Sequence, residues 1–187
     1  MAAQMQYKGR SMRIALSLVG LMSCSLLFGA TLEKLSIEEM SQKSTVILRG
    51  RIAGCAGDQR GSVIYTRCKV QVMERWKGSA ASQIDFLIPG GTARGLTQTF
   101  TGTPKFNAGD EYVLFLWAGR SGNLQVIGLS QGIFDVNSGD KAVMVKRAAS
   151  SETMIDKNGQ SVRDESVEMT AEALRRRVAL ALGEASK

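Results

Sequence analysis

With 187 residues, 44% of them hydrophobic and only 2 prolines, the chain is sized for a single globular domain plus a short processed segment. It contains no histidine, which removes the commonest neutral-pH base and metal ligand and excludes serine-histidine and cysteine-histidine catalysis within the chain. The formal charge of +7 is unevenly placed: residues 1–30 carry Lys8, Arg10 and Arg13 and no acid, so residues 31–187 have 21 bases against 17 acids, a net +4 that serves solubility and does not mark a nucleic-acid binder.

Behind the three bases runs IALSLVGLMSCSLLFGA, residues 14–30, without a charge. A basic start, an apolar stretch and small residues near its end predict a secretory signal peptide over residues 1–30, cut after Ala30, although Phe28 fits the small-residue rule poorly. Met12 offers a shorter start with the same export conclusion. Left uncleaved, the stretch would sit at the short end of a membrane span. Leu21-Met22-Ser23-Cys24 also resembles a bacterial lipobox and makes Cys24 a lipidation candidate. Met22 is unusual there, and an apolar run comes next where a polar tether is normal. Membrane attachment is therefore expected only through an uncleaved or lipidated N-terminus.

After residue 30, Leu32, Leu35, Ile37 and Met40 recur at helical spacing. Ser36 stands as N-cap and Glu39 three residues on, which predicts a capping box and a short helix. Then runs rich in Val, Ile, Tyr, Phe and Thr occupy residues 45–54, 62–76, 83–88, 96–102, 111–117, 123–136 and 141–146, separated by glycine-bearing turns. Short strands at that cadence predict a closed or nearly closed antiparallel sheet over residues 31–147. Alternation in SVIYTRCKVQVMERW puts Ile64, Thr66, Cys68, Val70 and Val72 on one face, inward from Cys68 onward. EYVLFLW is apolar from Tyr112 to Trp117, as suits a central strand covered on both sides, with helices as the cover. Glycines 50, 54, 128 and 132 lie inside strand-like runs and permit sharp coiling.

In an oxidising compartment Cys55 and Cys68 are candidates for a disulfide stapling a hairpin. Centred on AGDQRGS, a regular hairpin sets Cys55 nearer Ile64 than Cys68, so the bond needs a bulge or a longer loop. Two separately buried thiols are the alternative. Two cysteines without histidine are too few for zinc, and no metal or cofactor is expected.

Residues 148–169 are polar and aperiodic and predict a surface excursion, with Asn158-Gly159 turning a hairpin from Met154 to Val162. Residues 170–187 predict an amphipathic helix. Thr170 caps it, Met169 and Leu174 form a staple, Ala171, Leu174, Val178, Ala181 and Leu182 share a face, and Gly183 stops it. Arg175, Arg176 and Arg177 fan over most of a turn and read as a solvated face.

Candidate chemistry is sparse. The glycines of LIPGGTARG, residues 87–95, suggest a phosphate cradle, but no Gly-Lys-Ser/Thr comes after them and TARGLTQTFTG cannot supply the helix such a site needs. Pro89-Gly90 suits a turn, and no nucleotide is expected. Asp85, Asp110, Glu111 and Asp135 lie in or beside strands without an identifiable acid-base pair. Trp76, flanked by Arg75 and Lys77, is either a ligand platform or a residue packing over the sheet's end. These three and Arg94 are the binding-surface candidates.

STVILRGRI, IYTRCKVQVMERWKG, PKFNAGDEYVLFL and IGLSQGIFDV, in that order, resemble a family of uncharacterised exported bacterial proteins over residues 31–136, in which a helix like that at residues 170–185 often comes next. The pattern is in turn similar to the netrin-type barrel of tissue inhibitors of metalloproteinases. The resemblance implies a mainly β fold, a small OB-like antiparallel barrel with a short N-terminal helix and a C-terminal amphipathic helix. In those inhibitors a free N-terminal cysteine chelates the protease metal. The mature chain expected here starts at Thr31 with no cysteine near, so that wedge is not expected. The expectation is an exported, non-enzymatic binding module with an exported protein as partner. A structural or lipid-anchored envelope protein and a polyanion- or oligosaccharide-binding barrel are the alternatives. Neither the partner's identity nor the oligomeric state is set by the sequence.

Overall fold

A computed structural model describes residues 31–78, 81–139, 142–150 and 152–183. The expected signal peptide and the lipidation candidate Cys24 lie outside the described residues. The chain is mainly β. Its strands are β1 (Thr31–Glu33), β2 (Val46–Arg60), β3 (Val63–Lys77), β4 (Gln83–Pro89), β5 (Gly91–Ala93), β6 (Leu96–Gln98), β7 (Glu111–Ala118), β8 (Leu124–Val126), β9 (Ile133–Ser138), β10 (Val143–Arg147), β11 (Thr153–Ile155), β12 (Ser161–Val162) and β13 (Val167–Thr170). Two helices are described, α1 (Ile37–Lys43) and α2 (Ala171–Ala181).

The long hairpin β2–β3 organises the rest. Its turn is Gly61-Ser62, with Gly61 at φ 60°, and Arg60 pairs with Val63. The turn therefore lies further along than the centre of AGDQRGS, and the polar stretch Ala56–Arg60 is strand. Weak β-formers are held there by the stronger facing residues Val63–Arg67, and Asp58 accepts from Arg67 (2.6 Å) and Arg60 (3.1 Å). The shift sets Cys55 directly opposite Cys68, their Cα atoms 4.1 Å apart, and the disulfide forms with neither a longer loop nor a bulge beside it. The irregularity between Ile52 and Gly54 lies upstream of the bond.

β2 also pairs antiparallel with β7, and β3 with β4; β8 lies antiparallel to β7 and meets β4 in parallel at Leu87 and Gln125. The pairings thus return on themselves in the order β2-β3-β4-β8-β7-β2, a ring-like sheet where the sequence predicts an OB-like barrel. β9, β10 and β13 extend the sheet from the same edge of β7. The single run expected over residues 123–136 is split into β8 and β9 because the chain buckles at 127–132. Ile127 and Gly132 both bond to Phe115 there, and a Cβ on Gly132 would lie 2.8–2.9 Å from Ile127 and the Phe115 carbonyl. From the buckle the buried Gln131 accepts from Leu35 N (2.8 Å) and donates to Glu33 O (2.9 Å), tying down the segment between β1 and α1.

Two cores result. Val70, Phe86, Leu48 and Leu114 fill the ring, while Ile47, Phe115, Phe134, Met40, Leu174 and Val178 pack between sheet and helices. β7 serves both, Tyr112, Leu114 and Leu116 facing the ring and Val113 and Phe115 the helices, as its unbroken apolar run predicts. Trp117 departs from that expectation and is 39% exposed, beyond the reach of either core.

Both helix starts agree with the sequence. Ser36 and Glu39 form the capping box, and Thr170 accepts from Ala173 N at 3.1 Å. Each cap stabilises by about 1 kcal/mol. Arg177 of α2 pairs with Glu38 of α1 at 2.7 Å, and Gly183 succeeds the last turn at φ 74°. Residues 148–169 contain the expected hairpin, Met154 facing Val162, but they are more than a surface excursion. β11 pairs in parallel with β1, β13 pairs with β10, Met154 is buried, and a buried Arg147–Asp164 ion pair of 2.8 Å fastens the segment.

Candidate functional site

The glycine-rich stretch after β4 passes close over β3 and turns the chain back as a hairpin. Gly90 (φ 88°) and Gly91 (φ 131°) occupy conformations that L side chains avoid, and a Cβ on Gly91 would lie 2.3 Å from Thr66 Oγ1. The chain then forms β5, turns at Arg94-Gly95 and returns as β6. The hairpin lies on the end of β2, where a Cβ on Gly57 would fall 1.9 Å from the Thr92 carbonyl. Hydrogen bonds lock it in place: Thr66 Oγ1 to Gly90 O (2.8 Å), Ile64 N to Gln98 Oε1 (2.7 Å), and between the Thr92 and Thr97 hydroxyls (2.9 Å).

Residues 99–110 then cross the ring's end. Phe106 packs edge-on against Phe86 and Tyr112, with centroids 5.2 and 5.0 Å apart. Between the hairpin and this crossing lies a cavity of about 550 Å3. The Cys55–Cys68 bond and Ile88 line it, as do Phe100, Phe106, Thr103 and Lys105. Near it two large apolar side chains remain in solvent, Leu96 at 60% and Phe100 at 39% exposure. The cavity is open and its lining is mixed: the disulfide, Ile88, Phe100 and Phe106 supply apolar wall, and five threonines with Gln98, Lys105 and Asn107 supply polar groups.

A second cavity of about 310 Å3 shares Thr103, Pro104 and Lys105 with the first and is bordered by Tyr112, Ser130 and Asp135. Tyr112 donates to Asp110 Oδ2 at 3.3 Å. Burial first, then the charges of Asp110 and Asp135, push its phenol up to about 12. Burial likewise raises Asp135, with Asp110 adding to it. Asp110 also accepts from Asn107 Nδ2 at 2.9 Å, which makes it the closing residue of a turn. Glu111 is held by Arg49 and, at 3.5 Å, by Arg51, while Asp85 faces Arg67 at 3.4 Å. Asp85 and Glu111 thus serve ion pairs and Asp110 a turn, whereas Asp135 borders the second cavity outside any ion pair among the described residues. Among the described residues no group of three or more cysteines, aspartates or glutamates is placed to hold a metal ion.

The sequence-predicted surface residues do not converge on the cavity. Trp76 is 9% exposed and belongs to the core beneath the helices, its Nε1 donating to Glu74 at 3.1 Å. Two register shifts between β2 and β3 interrupt the alternation before it, so it offers no face to a ligand. Lys77 donates to the carbonyls of Ser41 (2.7 Å) and Gln42 (2.9 Å), closing the C-terminal end of α1, and burial pushes its ammonium down. Arg75 is exposed on β3, and Arg94 is exposed in the β5–β6 turn, where it adopts φ 51°. The cavity's own residues Phe100, Thr103, Lys105 and Phe106, and Leu96 near it, are legible in the sequence only as a threonine-rich strand and a turn. Their one signal is an apolar residue every fourth position, Leu96 and Phe100, in a run that is otherwise polar. The chain matches no known family model and no curated protein.

Proposed function

We propose that this chain is an exported, non-enzymatic binding module that receives a protein partner in the cavity at the end of its ring-like sheet. The carrying observation is that Leu96 and Phe100 stand in solvent at a 550 Å3 cavity with apolar patches in its wall, whereas the apolar residues of the two cores are buried. Exposed apolar side chains of this kind anchor protein interfaces when a partner covers them. The disulfide is compatible with an oxidising compartment, and the leader pattern of residues 1–30 supports export. The inhibitor-like resemblance agrees with a binding role, without the metal-chelating wedge.

The test is photo-crosslinking in the native cell with benzoylphenylalanine at position 100, and at position 117 as an equally exposed control. A discrete protein adduct from position 100 and none from position 117 is expected. No protein adduct at position 100, or turnover by the purified protein that a single carboxylate variant abolishes, overturns the reading. Intact mass of the purified protein tests export: a chain starting at Thr31 is expected. A diacylglyceryl mass on Cys24 would move the protein to the membrane-anchored class.

A further inference from the structure

Resting on the protein-binding proposal, we infer that the cavity selects an extended peptide segment carrying a carboxylate, with Lys105 as the residue that recognises it. The polar walls are largely self-satisfied. Thr66, Gln98, Thr92 and Thr97 spend their hydrogen bonds within the hairpin and on β3, and Asn107 spends its amide on Asp110. Three lining groups, Thr99, Thr103 and Lys105, are not so engaged. Among the described residues Lys105, exposed, makes no ion pair, and the Thr103 hydroxyl, shut from water, has no hydrogen-bond partner.

Lys105 is the one charged side chain among the described residues that line the cavity, and it forms no ion pair with Asp135 of the adjoining cavity that it also lines. A positive charge at the edge of apolar walls favours a ligand that brings one negative group and apolar neighbours. A carboxylate suits the exposed Lys105 ammonium and accepts from it, while the Thr103 hydroxyl is shut from the ligand as it is from water. The adjoining apolar side chains have Phe100, Phe106 and Ile88 to pack against. A protein segment supplies that combination, since an aspartate or glutamate beside leucine, valine or phenylalanine is ordinary peptide chemistry.

The test uses the protein as processed in its own cell, tagged and purified, on arrayed octapeptides of the pattern Val-Phe-X-Leu with X as Asp, Asn or Lys. Binding to Asp peptides about tenfold tighter than to Asn peptides is expected, a difference of about 1.4 kcal/mol. Lys105→Arg should keep the preference and Lys105→Glu should reverse it toward Lys peptides. Because Lys105 is exposed, neither variant disturbs a packed region. Equal binding of Asp and Asn peptides, or a preference that survives Lys105→Glu, overturns the inference. So does Lys105-dependent binding of polygalacturonate with no peptide bound, which would make the ligand an acidic glycan. A protein adduct at position 100 that Lys105→Glu leaves unchanged sinks this inference but spares the protein-binding reading. Absence of that adduct sinks the reading itself.

Discussion

The two sides of β7 show how differently one strand can be used. Toward the helices, Val113 and Phe115 meet Phe134, Leu174 and Val178 in a layer whose larger side chains are almost wholly buried, and that layer is closed by α1 and α2. Toward the ring, Tyr112, Leu114 and Leu116 floor a core that opens at one end, where Phe106 bridges Phe86 and Tyr112 but Phe100 and Leu96 are left in solvent. One side is finished by the chain itself. The other presents Leu96 and Phe100 around a cavity, whereas the exposed Leu180 of α2 has no cavity beside it among those described, and the proposed partner site rests on that contrast.

The comparison breaks most severely at Phe115. Phe115→Ala empties the centre of the helix-side core and should cost about 3–5 kcal/mol, read as a fall in the urea midpoint with little change in slope. A loss below about 1 kcal/mol would mean that the helix layer collapses onto the gap and that the closed side is less rigidly packed than its burial implies. Next in size is the staple under the cavity. Cys55→Ser with Cys68→Ser removes a bond between residues 13 apart in sequence and should cost about 2–4 kcal/mol. Because the bond lines the cavity, the same variant should weaken partner capture at position 100 even at temperatures where it stays folded. Full capture by the folded variant would show that the hydrogen bonds of β5 and β6 alone hold the cavity's shape.

Legibility in the sequence divides along the same line. The helix side is legible because its signals are local or periodic: Ser36 and Glu39 at capping-box spacing, Thr170 before an amphipathic run, and an unbroken apolar stretch in β7. The staple is legible as a pair but not in its register. Ala56–Arg60 has little β-propensity of its own and is strand only because β3 faces it. Trp76 and Lys77 mislead because a bulged strand changes which way a side chain points, and one sequence contains no record of the bulge. The cavity is least legible of all. Its wall is made by glycines that let three segments approach closely, Gly57 under Thr92 and Gly91 over Thr66, and such approaches depend on partners far away in the chain.

A smaller effect tests how the N-terminal segment is joined to the polar hairpin β11–β12. Lys157 pairs with Glu39 at 2.5 Å, and that bond, with the Ser36 amide, lowers the Glu39 carboxyl from its ordinary 4.5 to about 2. A carboxyl depressed in the folded state contributes stability that is present above its ordinary value and is lost as the pH falls from there through about 2. Glu38, lowered by Arg177 against the opposing effect of burial, acts in the same direction. Glu39→Gln should therefore flatten the pH dependence of the urea midpoint between about 4.5 and 2, with little change at neutral pH beyond loss of a pair whose lysine is exposed. An unchanged acid profile would mean that the pair is not maintained in solution.

The smallest expected effect on stability sharpens the contrast furthest. Phe100→Ser with Leu96→Ser replaces two solvent-exposed side chains that neither core contains, so the melting temperature should hold and the free energy of unfolding should move by no more than about 0.5 kcal/mol. Partner capture, monitored with the crosslinker moved to the exposed, cavity-lining position 99, should fall by about an order of magnitude or more, because a truncated interface anchor costs on the order of 2 kcal/mol of binding. If the double variant instead loses stability on the scale of Phe115→Ala, Phe100 and Leu96 pack against the chain in solution and the open side is closed after all. If stability and capture are both unaffected, the apolar exposure there is idle. Only loss of capture at unchanged stability supports the division of labour between the two sides of β7.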